Sequence, residues 1–184
     1  MRRGQRGSGG AAERWFSLPT AGRAWQRSNM AITFKNAAEM QQRANTDLGS
    51  SAWETMTIET IRKFADATGD HQWIHVDEER AARESPFKKA IAHGYLSLAL
   101  TAGRFFEVVD LSGFDLAVNY GTNKVRFPAP LPVGARFRAT FKLGDVKDVG
   151  GGWTEGIFHI TVEVEGQTKP ACVAETVFRV KASA

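Results

Sequence analysis

Hydrophobic and polar positions fall into two regimes along this chain, helical in the first half and extended in the second. Residues 36–44, "NAAEMQQRA", fit a short helix. "SAWETMTI" reads as a strand leading into a helix, with Thr57 as N-cap and Glu59 in the first turn. Ile58, Ile61, Phe64 and Ala65 then recur at helical spacing, and Gly69 supplies the stop. "VDEERAARE" fits a second, mostly solvent-facing helix. Residues 95–106, "YLSLALTAGRFF", are apolar nearly all round, which predicts a fully buried helix.

Beyond that helix the period becomes two. Val118 to Phe127 has mixed alternation and ends at "PAPLPVG". From Arg136 to Val146, Phe137, Ala139, Phe141 and Leu143 alternate with Arg136, Arg138, Thr140 and Lys142. Phe158, Ile160, Val162 and Val164 alternate with His159, Thr161, Glu163 and Glu165, and Ala171 to Val180 makes a last strand. Long two-period strands beside one buried helix predict an α+β fold, an antiparallel sheet curled around that helix. The body contains no internal repeat.

A length of 184 residues suits one domain with an appendage, and 42% hydrophobic residues suffice for a core. The single Cys172 cannot form an internal disulfide and implies nothing about oxidation; a reducing cytoplasm is the default setting. No membrane partner is expected, because no segment approaches the roughly 18 apolar residues of a spanning helix. The formal charge of +4 points at first to nucleic acid. Its distribution excludes this. Residues 1–29 carry six arginines and one acid, Glu13, and taking that +5 from +4 leaves −1 for residues 30–184. The first 29 residues, rich in Arg and Gly and without period, fit a targeting peptide, a disordered extension or a start placed upstream of Met30. Residues 30–184 are expected to form the single folded domain.

The chemistry concentrates in "GDHQWIHVDEERA", residues 69–81, which holds two of the four histidines. His71 and His75 have the i, i+4 spacing of a zinc-binding helix, but Gly69 has just ended a helix and no partnering glutamate or cysteine pair is present. No metal is therefore expected. Asp70 and His75 would stand about 140° apart on a helix and on opposite faces of a strand. Only a turn brings them together, and a carboxylate beside an imidazole suits acid/base work on a small molecule such as water. The structural alternative is that Asp70 caps the following helix and His75 is a half-buried histidine. In "IAHGYLSLAL", Gly94 opens the buried helix, where backbone N–H groups stabilise a developing negative charge. An ordinary glycine N-terminus explains the same residue.

These segments, followed by "NYGTNKVRFPAPLPVG", resemble the MaoC-like dehydratases, the (R)-specific enoyl-CoA hydratases of the hot-dog fold, in their nodulation-protein-N-like actinobacterial branch. The resemblance runs from about Met30 to the C-terminus. It implies reversible hydration of a trans-2-enoyl thioester, carried on coenzyme A or on an acyl carrier protein. Asp70 and His75 would handle the water, and the Gly94 amide would polarise the thioester carbonyl. It implies no cofactor and a homodimer. Two departures stand out. Gln72-Trp73 replaces the family's frequent Asn-Pro, and Ala102 stands where some members carry a serine supporting the Asp, a role open to Ser97 or Thr101. Asn123, Lys124 and Arg126 are candidates for the phosphates of the thioester carrier, or a solvated strand face. The alternatives are a hot-dog thioesterase and one subunit of a heterodimeric carrier-protein dehydratase.

Overall fold

The computed structural model describes residues 31–182, so the expectations for residues 1–29 lie outside the described residues. Its elements run β1 (Ile32–Thr33), α1 (Ala37–Gln42), β2 (Asp47–Ser50), β3 (Glu54–Thr55), α2 (Ile58–Thr68), α3 (Trp73–Val76) and α4 (Glu78–Glu84). The chain continues with α5 (Gly94–Val108), β4 (Val109–Asp110), β5 (Phe114–Arg126), β6 (Arg136–Gly150), β7 (Trp153–Val164) and β8 (Cys172–Ala182). The main sheet is antiparallel, in the order β2-β6-β7-β8-β5, with β3 also on β6. This is the expected α+β arrangement.

Local signals in the sequence set the element ends. The Asn36 side chain accepts the Glu39 N–H, and Thr57 accepts the Thr60 N–H, so both helices start on a side-chain cap. Gly69 ends α2 at φ 77°, a left-handed conformation that glycine adopts without strain. The alternation of β6 and β7 reaches its destination. Phe137, Ala139, Phe141 and Leu143 are buried on one strand, and Phe158, Ile160, Val162 and Val164 on the next.

Helix α5 lies across this apolar face. Phe105 stacks on Phe178 at 4.6 Å and meets Phe158 and Phe141 edge-on at 4.9 and 5.6 Å. Those offset and edge-to-face contacts add to plain burial. Within its first turn, Leu96 enters a second cluster with Ile61 of α2, Met56, Val162 and Val164. Two expectations are corrected. The strand expected before α2 shrinks to Glu54–Thr55, which pairs in register with β6, while Ser51 adds a single N–H bond to the Ala139 carbonyl of that strand at 2.8 Å. Helix α5 is not buried on all sides. Leu96, Ser97, Thr101, Phe105 and Val108 face the sheet, whereas Tyr95 (73% exposed), Ala99 and Phe106 lie uncovered. One sheet covers only one side of a helix, so a sequence apolar all round leaves its far side for something else.

Phe105→Ala is expected to lower the unfolding free energy by about 3–5 kcal/mol, because it empties the centre of the aromatic cluster. Chemical denaturation measures this. A loss below about 1 kcal/mol would deny the ring its central place.

Candidate active site

The turn demanded by the spacing of Asp70 and His75 is present. After Gly69, the Gln72 N–H donates to Asp70 Oδ1 at 3.3 Å, and the single turn of α3 swings the chain back. Asp70, His75 and His93 thereby bring one oxygen or nitrogen each within 4.8 Å of one another. The cap of α4 is Asp77, whose Oδ1 accepts the Arg80 N–H at 2.9 Å. Asp70 is therefore not the capping residue of that helix. Its side chain is 53% exposed and faces the cluster.

His75 is 8% exposed, and its Nδ1 lies 2.7 Å from the Ile91 carbonyl. A carbonyl only accepts, so Nδ1 carries the hydrogen and Nε2 keeps its lone pair. Burial pushes the His75 pKa below the ordinary imidazole value. The Ile91 bond opposes this shift, His93 adds to it, and the Asp70 charge opposes it least. The result at neutral pH is a neutral imidazole with an open Nε2, which is a base.

The third member of the cluster was not singled out from the sequence. His93, 3% exposed, stacks on His75 with centroids 3.8 Å apart and planes 28° apart. Its Nε2 lies 2.9 Å from the Asp70 carbonyl and 3.9 Å from Asp70 Oδ2. The i, i+4 histidine of the zinc expectation, His71, stands apart. It is 56% exposed with Nε2 3.8 Å from Asp66 Oδ1. The only sequence signal for His93 was its place before Gly94. Nothing in an 18-residue separation announces a stacked pair.

Gly94 opens α5, whose start has no side-chain cap, and first-turn N–H groups have no partner within their own helix. A Cβ at Gly94 would lie 2.8 Å from Cδ2 of Phe127, so glycine is required for this close approach. Phe127 in turn meets Tyr95 edge-on at 6.0 Å. Further along α5, a cavity of about 270 Å³ opens against the sheet, lined by Leu98, Thr101, Ala102, Phe105, Tyr120 and Ile160 among others.

The remaining candidates separate. Ser97 Oγ reaches back to the His93 carbonyl at 3.4 Å and Thr101 Oγ1 to the Leu98 carbonyl at 2.7 Å. Both bonds stay within the helix and its cap, so neither hydroxyl takes the supporting role towards Asp70. Asn123, Lys124 and Arg126 lie exposed on the edge strand β5. Lys124 pairs with Glu175 at 3.3 Å, and Arg126 donates to the Val125 carbonyl at 2.7 Å. Arg126 adjoins Phe127 and is the candidate nearest in sequence to the Gly94 contact. Burial pushes the Cys172 thiol up to about 11, so no thiolate nucleophile is on offer.

Comparison with known proteins gives the family. The family described as MaoC like domain matches residues 39–164, a span that contains Asp70, His75 and Gly94. A protein named 3-hydroxyacyl-thioester dehydratase Z, from Mycobacterium tuberculosis, is 52% identical over 147 residues, covering 80% of this chain and 97% of that protein. Nodulation protein N from Rhizobium leguminosarum bv. viciae is 41% identical over 138 residues, covering 74% of this chain and 86% of that protein. The solved (R)-hydratase from A. caviae involved in PHA biosynthesis matches with a TM-score of 0.60 at 20% identity, covering 74% of this chain and 97% of that one. At that identity the likeness speaks for the fold, a hot-dog. With the family match spanning most of the folded body, this chain belongs to the MaoC-like dehydratase family.

Proposed function

We propose that this protein is an (R)-specific enoyl-thioester hydratase, adding water reversibly across trans-2-enoyl-CoA or the corresponding carrier-protein thioester. The observation that carries the proposal is the convergence of Asp70 and His75 beside the uncapped start of α5. A separation within 4.8 Å suits one bridging water held by two hydrogen bonds of about 2.8 Å.

The chemistry follows from the protonation states. Asp70 accepts one hydrogen of the water, and the open Nε2 of His75 removes the other as the oxygen bonds to C3. The C2=C3 electrons move towards the thioester oxygen, where the Gly94 N–H and the positive helix end hold the developing charge. The proton on His75 then goes to C2 and the carbonyl re-forms. The elements of one water have been added and both protein groups are restored. The acyl chain occupies the cavity along α5, and Arg126 is the candidate contact for the carrier's phosphates.

This sequence of steps needs no metal. His75 Nδ1 and His93 Nε2 engage main-chain carbonyls, and in this reading the open His75 Nε2 serves as the base. We further read the uncovered face of α5 and the open edge of β5, with Tyr95, Phe106, Leu116 and Tyr120 exposed, as the seat of a second copy.

Three outcomes are expected. With crotonyl-CoA, enoyl absorbance falls without thiol release, EDTA leaves the rate unchanged, and an (S)-specific 3-hydroxyacyl-CoA dehydrogenase forms no NADH from the product. Asp70→Asn and His75→Gln each cost about 10²–10⁴ in kcat, and Gly94→Ala costs at least about tenfold because its methyl strikes Phe127. Free thiol instead of hydration would make the protein a thioesterase, and full activity in either acid/base variant would remove that residue from catalysis.

The second outcome concerns pH. Because burial lowers the His75 pKa and the neutral ring is the base, kcat/KM is full above that value. It falls as pH drops through a midpoint below about 6.5. A midpoint clearly above that would contradict the buried-base reading. Finally, sedimentation is expected to give twice the 20.2 kDa chain mass. A single-chain mass at micromolar concentration would leave the α5 face without its second copy.

A further inference from the structure

We propose that His93 is the positioning residue of this site: its Nε2–H on the Asp70 carbonyl and its ring against His75 together set where the carboxylate and the base stand relative to each other. For the kinetic part, this rests on the hydratase reading above. The geometry stands independently of it.

His93 closes a reciprocal brace between two segments far apart in sequence. The segment before α5 offers the Ile91 carbonyl to the His75 ring at 2.7 Å and the Ile91 N–H to the Ile74 carbonyl at 3.1 Å. Its own ring, two residues on, reaches back to the Asp70 carbonyl at 2.9 Å. One segment therefore grips both ends of the stretch from Asp70 to His75. The His93 ring is wedged between His75 at 3.8 Å and Phe64 of α2 at 5.2 Å, so it has little room to turn.

The alternative is a histidine that merely fills space. Its Nδ1 argues otherwise, being buried and without a partner. Leaving a buried polar atom unpaired is unfavourable, and a phenylalanine would fill the same space without it. Only the Nε2–H bond to Asp70 offsets that cost. A carbonyl acceptor also dictates the tautomer, with hydrogen on Nε2. Of the charged or titratable groups, the Asp70 carboxylate, 3.9 Å from Nε2, and the stacked His75 face it. Phe64 from α2 is apolar, and the near contact from α5 is the Ser97 hydroxyl on the His93 carbonyl. His93 consequently acts on the base through His75 and on the carboxylate through the Asp70 backbone, without needing to touch substrate.

The test begins on the wild-type chain. Nitrogen-15 histidine NMR at neutral pH should show His93 protonated at Nε2 and His75 at Nδ1, whatever the protein's activity. Kinetics with crotonyl-CoA then compares His93→Phe, which keeps a ring but loses the donor, with His93→Gln, which keeps a donor but loses the ring. Each should lower kcat by about 10- to 100-fold with KM changed less than about threefold. The acid limb of kcat/KM in His93→Gln should move to higher pH, since His93 helps hold the His75 pKa down. A purely packing role would show as a lowered melting temperature with that limb unmoved. An Nδ1-protonated His93 in the wild type overturns the proposal even if both variants fail to fold. A folded His93→Phe with kcat within about twofold of wild type overturns it as well. Wild-type protein without hydratase activity but with the expected tautomers would sink the functional reading and leave the brace standing.

Discussion

The hydrogen bond from His75 Nδ1 to the Ile91 carbonyl is the contact on which the site depends. It is buried, it is short at 2.7 Å, and it joins a one-turn helix to the lead-in of the central helix. It orients the ring, leaves Nε2 open and makes burial of an imidazole tolerable by satisfying one of its two nitrogens. The acceptor itself sits on a secured segment. The Ala92 N–H donates to the Leu131 carbonyl at 2.8 Å, and the Val133 N–H to the Ala90 carbonyl at 2.9 Å. The base is thus tied through two backbone contacts to the loop that feeds the sheet.

Helix α5 does two jobs whose requirements pull in different directions. As the pillar of the core it needs bulky apolar residues, and the Phe105 cluster supplies them at its far end. In the hydratase reading its near end must stay open, so that the N–H groups and the positive end of the helix can meet an oxygen. Gly94 meets that need, with the Phe127 ring packed where a side chain would otherwise be. Large residues deep in the sheet and a bare backbone at the mouth would, in that reading, let one helix serve stability and chemistry at opposite ends. The cavity between them follows from the same division, since it lies where the helix has small residues such as Ala102 facing the strands.

Much of the fold was legible along the chain because its signals are local. Period-two stretches became β6 and β7, Thr57 and Gly69 bracketed α2 as their types demand, and the apolar run became the central helix. Burial was misread where coverage depends on how many neighbours a helix has. "YLSLALTAGRFF" is uniformly apolar, yet Tyr95 and Phe106 stay exposed, because periodicity reports what a surface prefers and not what lies against it. The outcome for Ser97 and Thr101 has a similar origin. Their hydroxyls found carbonyls within a turn of the chain, and such local acceptors compete well with a more distant carboxylate.

The site divides along the same line. The turn that unites Asp70 and His75 was legible because their spacing fits neither helix nor strand, while their selection as candidates rested on the resemblance to a known family. Gly94 could be placed at the start of the buried helix, but only the resemblance to a known family set it apart from an ordinary glycine there. These are properties of short stretches of chain, which the order of residues determines by itself. The stacking of His93 on His75, the Ile91 acceptor that selects the tautomer, the Phe127 ring against Gly94 and the pairing of Lys124 with Glu175 are of another kind. Each joins residues between 16 and 51 positions apart. Such contacts are made by the packing of whole elements, whose relative placement follows from the sum of many weak burial terms rather than from any one motif. Only the tertiary structure could decide them.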